Sequence, residues 1–283
     1  MVGTLYVVST PIGNLEDVTL RALRVLREAD LIAAEDTRHT ARLLQRYEIG
    51  TSTTSFHEHN ERQKLPALLA RLKDGARIAL VSDAGTPGVR DPGYRLVRAA
   101  IDEQIHVEVI PGPSAVLTAL VASGLPMDTF TFLGFPPPRA KARADWLARM
   151  AGEPRTVVFF EAPHRIRATL EELVRVVGGR EVAVARELTK LHEEVLRGTP
   201  SDLLARLPEP RGEFTVLVAP PSPDLAPVAI PDDDSISRAF MEMVAGSATT
   251  RRGAISALAR RYGMPSKEIY AAIERQKLRA AQD

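Results

Sequence analysis

The chain contains no cysteine, so a disulfide framework, a thiolate nucleophile and a thiolate metal site are all excluded. That absence fits a reducing compartment, and a cytoplasmic protein is expected. Long apolar runs are also missing. The longest, such as 116–122, fall far short of the roughly 20 residues that cross a bilayer, so no membrane role is expected. The first ten residues have no basic segment ahead of a long apolar stretch and read as a first strand rather than a signal peptide. Three motifs are absent as well. Without G-x-G-x-x-G there is no dinucleotide fingerprint, without G-x-x-x-x-G-K-[ST] no P-loop, and without H-E-x-x-H no zinc-protease helix. His57-Glu58-His59 has the residue types of a metal site, but alternate residues on a strand face opposite ways, so no metal is expected there.

What is present is an ordinary globular composition, 45% apolar and 26% charged, over 283 residues, which is more than one average domain. The net charge of +1 hides an asymmetry. Residues 235–283 carry nine Lys/Arg against four Asp/Glu, a net of +5, which leaves −4 for the remainder. A basic tail on a near-neutral body suits an anionic partner; its bland alternative is a solvated helix face.

Short β-branched runs alternate with amphipathic segments in the first part. Strands are predicted over 5–9, 31–34, 77–81 and 107–110, and helices over 19–29, 37–47, 94–103 and from 114 onward. This βαβα rhythm argues for a mostly parallel sheet covered by helices. After a break at Ser123-Gly124-Leu125-Pro126, strands at 129–133, 156–160, 182–185 and 214–218 alternate less regularly with helices at 141–150, 166–177 and 201–207, so a mixed sheet is expected. The fold class is therefore α/β, with two α/β domains at 1–123 and 124–219. Residues 220–234, rich in proline and ending in three aspartates, read as a stiff linker. Residues 235–283 read as a basic helical module with helices at 236–244, 253–261 and 267–275, the last capped by Ser266 after a Gly263-Met264-Pro265 turn.

Ligands in open α/β sheets bind beyond the C-terminal ends of the strands. Three loops leaving strand ends there carry glycine and proline: Ser9-Thr10-Pro11-Ile12-Gly13-Asn14, the segment from Ser82-Asp83-Ala84-Gly85-Thr86-Pro87 to Gly93, and Pro111-Gly112-Pro113-Ser114-Ala115. Glycine admits close approach of a ligand to the backbone and proline fixes loop shape, so together they predict a binding cleft.

These loops, with Ala34-Glu35-Asp36-Thr37-Arg38, His57-Glu58-His59-Asn60-Glu61, Phe132-Leu133-Gly134-Phe135, Phe160-Glu161-Ala162-Pro163-His164-Arg165, Ala185-Arg186-Glu187-Leu188-Thr189-Lys190 and Gly212-Glu213-Phe214, resemble the tetrapyrrole methylase superfamily. Within it the likeness is to the branch acting on small-subunit ribosomal RNA, and it runs from about residue 4 to 219. The resemblance implies two α/β domains with S-adenosylmethionine in the cleft between them. It also implies 2′-O-methylation of a cytidine in the decoding region of 16S RNA in the 30S subunit, and a homodimer. By position, Pro11, Asp83, Gly85, Thr86, Ser114 and Ala115 match its cofactor motifs, and Ala162, Leu188 and Thr215 close the site from the second domain. The tetrapyrrole enzymes commonly carry Gly-Asp-Pro in the second loop; here Asp83 is followed by Ala84-Gly85, which favours the RNA branch.

A ribose hydroxyl needs a base at neutral pH. Glu161, Glu187 and His57 are the candidate catalytic residues, with Asp36 and Glu58 as further options; the alternative for each is pairing with a neighbouring cation. Arg38, Arg90, Arg165 and Lys190 are candidate phosphate contacts, and Phe135 a candidate stacking platform. In the tail, a helix-turn-helix spacing would present Arg251, Arg252, Arg260 and Arg261 to nucleic acid. The rival readings are a methyltransferase for a tetrapyrrole or a modified protein histidine, and a non-enzymatic nucleic-acid-binding regulator. The regulator leaves the three cleft loops unexplained.

Overall fold

The structure, a computed structural model, describes residues 2–88, 92–207, 209, 212–221, 233–245, 250–262 and 266–280. The chain divides into two compact units, residues 1–220 and 221–283. Arg90, most of the expected linker (222–232) and the Gly263-Met264-Pro265 turn lie outside the described residues, as do the side chains of Arg252, Arg260 and Arg261.

The first unit holds two sheets. Strands β1 (Thr4–Val8), β2 (Leu31–Ala34), β3 (Thr53–Ser55), β4 (Arg77–Val81) and β5 (His106–Ile110) form a parallel sheet in the order β3-β2-β4-β1-β5. Its strands alternate their side chains between two helical layers. On one face Val8, Ala79 and Val81 pack with Leu23 and Leu26 of α1 (Leu20–Glu28) and Leu43 and Leu44 of α2 (Thr37–Arg46). On the other, Leu5, Ile78 and Leu80 pack with Leu68 and Leu72 of α3 (Glu61–Lys73) and Leu96 of α4 (Tyr94–Asp102). Neighbouring strands β1 and β4 thus send their following helices to opposite faces. The crevice between their C-terminal ends is the switch point of the sheet, where open α/β folds bind ligands.

The β3–α3 pair has no counterpart among the predicted elements. β3 is three polar residues, Thr-Thr-Ser, and α3 carries Pro66 inside it, which removes one helical N–H and reads in sequence as a break. His57-Glu58-His59 consequently lies in the turn entering α3, not on a strand.

Helix α5 (Ala115–Ser123) starts at Ser114, whose hydroxyl accepts from Leu117 N, and stops at Gly124, left-handed at φ 73°. Its Val116, Ala119 and Leu120 pack against Val158, Ala183, Ala185 and Leu217 of the second sheet. The helix placed from sequence at the end of the first domain thus packs on the second sheet; an all-round apolar helix carries no periodic sign of which sheet it covers.

The second sheet contains β6 (Phe130–Phe132), β7 (Thr156–Glu161), β8 (Val182–Arg186), β9 (Glu194–Gly198) and β10 (Phe214–Val218) in the order β6-β7-β10-β8-β9. It is mixed: β6 and β7 run parallel, while β10 lies antiparallel to both β7 and β8, and β9 antiparallel to β8. The central β10 is buried at all five residues. Edge strand β9, Glu-Val-Leu-Arg-Gly, is too polar to stand out in sequence. The face away from α5 is covered by α6 (Ala140–Ala151), α7 (Ile166–Val177) and α8 (Pro200–Arg206) around Trp146, Leu170, Leu173 and Leu203. A Thr199/Asp202 capping box starts α8.

The described residues of the second unit form three helices, α9 (Asp233–Ala245), α10 (Arg251–Tyr262) and α11 (Ser266–Ala280), packed around Ile236, Phe240, Leu258, Ile269 and Ile273. Asp233 and Asp234, expected in the linker, form the first turn of α9. There acidic side chains suit the helix dipole, and Asp233 pairs with Arg275 at 2.8 Å.

Candidate active site

A cavity of about 680 Å³ opens beside the switch-point crevice, within the usual size of a small-molecule site. The loop after β1 supplies Thr10, Pro11, Ile12 and Gly13; the loop after β4 supplies Asp83 and Ala84; Ala115 starts α5. The second sheet supplies Phe160, Glu187, Leu188, Lys190, Gly212, Glu213 and Thr215, and α2 supplies His39, Thr40, Arg42 and Leu43.

Local bonding explains the shape. Thr10 and Gly85 exchange backbone hydrogen bonds at 2.8 and 3.0 Å, which pins the first loop to the second, and Gly85 adopts φ +72°, a conformation open to glycine. Ser9 and Thr86 share a hydroxyl contact of 2.8 Å behind them. Gly13 touches the 187–190 turn: a Cβ there would lie 2.6 Å from Leu188 O. That turn is strained, with Glu187 at φ +51° and the β-branched Thr189 at φ +66°. The Thr189 hydroxyl oxygen is buried with no hydrogen-bond partner.

Of the expected cofactor residues, Pro11, Asp83, Ala115, Leu188 and Thr215 line the cavity. Gly85, Thr86 and Ser114 stand behind it and hold its loops; Ala162 donates its N–H to Glu161 Oε1 at 2.9 Å. Asp83 Oδ1 accepts from Asp36 N at 3.0 Å, and Asp83 N donates to Glu35 Oε2 at 3.2 Å. Burial, the largest influence, raises the Glu35 carboxyl above its ordinary pKa, with the charges of Asp83 and Asp36 adding to it and the Asp83 N–H and His57 opposing.

The candidate bases separate. Glu161 is fully buried, its oxygens taken by Thr169 Oγ1 at 2.5 Å, the Ala162 amide, Arg143 at 3.4 Å and Arg165 at 3.4 Å. It does not line the cavity, and its surroundings fit a structural group. Glu187 lines the cavity, and its Oε1 accepts from Lys190 Nζ at 2.9 Å. His57 is not a lining residue; its Nε2 lies 3.0 Å from Asn60 Nδ2 and its Nδ1 is buried without a partner. Asp36 caps α2 and binds Arg38 through both oxygens, which holds it well below the usual carboxylate range. No group of three or more His, Asp or Glu among the described residues is placed to hold a metal ion.

The expected phosphate contacts are mostly engaged. Arg38 pairs with Asp36, Lys190 with Glu187, and Arg165 donates to Pro136 O and Pro137 O at 3.1 and 3.2 Å. Phe135 packs against Phe160 at 5.4 Å between ring centres. In the helical module the Arg251 guanidinium lies over the Phe240 ring at 5.8 Å. The α2 wall has no signature in the sequence. Only tertiary contact marks His39, Thr40 and Arg42, because α2 reads as an ordinary amphipathic helix.

Fold and site together define a two-sheet α/β protein with a small-ligand cavity at the switch point of its parallel sheet. The chain belongs to the tetrapyrrole (corrin/porphyrin) methylase family, whose model matches residues 4–204. It is 44% identical over 270 residues to the ribosomal RNA small subunit methyltransferase I of Halalkalibacterium halodurans, covering 95% of this chain and 93% of that one. It is also 44% identical over 271 residues to the protein of that name from Synechocystis, covering 95% and 96%. Over 221 residues it is 50% identical to the Escherichia coli O157:H7 protein of that name, covering 76% and 77%. Among solved structures, a diphthine synthase aligns with a TM-score of 0.62 at 15% identity, covering 77% of this chain and 90% of that one. A uroporphyrin-III C-methyltransferase from Thermus thermophilus, complexed with S-adenosyl homocysteine, aligns with a TM-score of 0.56 at 19% identity, covering 77% and 97%.

Proposed function

We propose that the chain transfers a methyl group from S-adenosylmethionine to the 2′-hydroxyl of a cytidine in the decoding region of small-subunit ribosomal RNA, as a cytoplasmic homodimer. The observation that carries this reading is the 44% identity to ribosomal RNA small subunit methyltransferase I over 95% of the chain, basic tail included.

The cavity fits such a donor. It combines apolar walls (Pro11, Ile12, Leu188) with loop backbone and a few polar groups, the composition of a cofactor site. When bound, S-adenosylmethionine supplies a methyl carbon already activated by its sulfonium. The residues around it therefore align and shield more than they activate. Pro11, Asp83, Ala115, Leu188 and Thr215 hold the donor; Gly85, Thr86, Ser114 and Ala162 fix the loops behind them. Asp83 faces the cavity as an acceptor for an ammonium or hydroxyl while bracing Asp36.

Glu187 is the carboxylate that receives the ribose proton. Lys190 occupies one of its oxygens and leaves the other for the substrate. The basic tail, Arg251 included, adds electrostatic attraction for RNA.

Tritiated methyl transfer to small subunits from cells lacking the modification, followed by nucleoside analysis, tests the reading. Label in a 2′-O-methylated cytidine is expected; label confined to another nucleoside or to protein overturns it. Asp83→Asn weakens cofactor binding by about tenfold or more in calorimetry. Unchanged affinity removes Asp83 from the site.

A further inference from the structure

We infer that the α2 wall of the cavity, built from His39, Thr40 and Arg42, is a subsite for a phosphodiester of the RNA strand that carries the methyl acceptor. The inference rests on the RNA reading above. All three residues line the cavity, with Thr40 beside His39 and Arg42 one turn further on.

Two observations point to a ligand here. Thr40 is only 4% exposed, and its hydroxyl oxygen has no hydrogen-bond partner among the described residues. A hydroxyl buried in this way is costly until something bonds to it, and Thr40 is one of the residues that line the cavity. Second, the Arg42 guanidinium and His39 ring are exposed and make no hydrogen bond or ion pair with the described residues. The other cations of the site are engaged: Arg38 with Asp36, Lys190 with Glu187, Arg165 with Glu161 and two proline carbonyls.

The remaining charged liners, Asp83, Glu187 and Glu213, repel an anion, so Arg42 is the unpaired cation that the described lining offers one. The N-terminus of α2 is not the anion site, because the Asp36 carboxylate already occupies it. The anion is therefore held by side chains. A phosphate at α2 leaves Glu187 and Glu213, next to strands of the second sheet, for sugar hydroxyls, which matches the ribose–phosphate alternation of an RNA strand.

A cofactor carboxylate is the other anionic group that suits Arg42, and two affinities measured on each variant separate the sources. Arg42→Gln, Thr40→Val and Thr40→Ser are compared with wild type for binding to a short single-stranded decoding-region RNA across a salt series, and for S-adenosylhomocysteine by calorimetry. For Arg42→Gln the expected result is RNA binding weaker by on the order of tenfold and a log–log salt slope shallower by about 0.7–1. Thr40→Val weakens RNA binding, Thr40→Ser restores it, and S-adenosylhomocysteine affinity stays at the wild-type value in all three. RNA affinity and slope unchanged in Arg42→Gln and Thr40→Val overturn the subsite; so does a loss of S-adenosylhomocysteine affinity with RNA binding intact. Wild type that binds RNA but transfers no methyl sinks the enzymatic reading, while the same affinities still decide the subsite. Wild type that methylates small subunits without binding this RNA overturns the subsite and leaves the enzymatic reading standing.

Discussion

Glu35 sits half-buried at the end of β2, braced by the Asp83 amide and beside the charges of Asp83, Asp36 and His57. Burial raises its folded pKa above the ordinary 4.5, so the native state binds this proton more tightly than the unfolded chain does. The associated stability is complete below pH 4.5 and is lost as pH rises through the folded pKa. Glu35→Gln keeps an acceptor for the Asp83 amide and removes the titration. Its melting temperature relative to wild type should climb as pH increases from 4.5, in thermal melts across a pH series. A relative fall over that window would contradict the assignment. Glu161 and Glu187 show what surroundings decide at this scale. Both follow strand-like runs in motif segments and carry the same charge. One is sealed among Arg143, Arg165 and Thr169, and the other faces a cavity on a strained turn.

Among the elements, the 187–190 turn carries two costs: left-handed backbone at a β-branched residue, and an unpaired buried hydroxyl. Such strain persists where the surrounding structure enforces it, often at sites of function. Thr189→Gly relieves both and should stabilise the protein by about 1 kcal/mol in denaturant melts, while lowering methyl transfer because the turn loses definition. Loss of stability would mean that Thr189 makes a favourable contact. Helix α5 makes a related point: its start and stop are written in Ser114 and Gly124, but the sheet it covers is not.

At the scale of the whole molecule, residues 1–220 and 221–283 each hold their own apolar core. Truncation after Pro220 should leave a cooperatively melting protein with wild-type affinity for S-adenosylhomocysteine and weaker, less salt-dependent binding to small subunits. An insoluble or non-cooperative product would show that the first unit depends on the second. Unchanged subunit affinity and salt slope would leave the basic tail without a role in RNA binding.

Sequence by itself determined the parallel first sheet, the mixed second sheet, the three glycine- and proline-bearing loops at strand ends, and the helices of the tail. Each is encoded locally, by a period of two or 3.6, by a cap, or by a residue that only a turn tolerates. The tertiary structure alone decided that α5 crosses to the second sheet, that Gly13 lets the 187–190 turn close on the first loop, that Glu161 is enclosed while Glu187 is not, and that α2 forms one wall of the cavity. These are relations between segments far apart in the chain. They depend on which surfaces meet when apolar faces are buried, and no local pattern of residue types records that meeting.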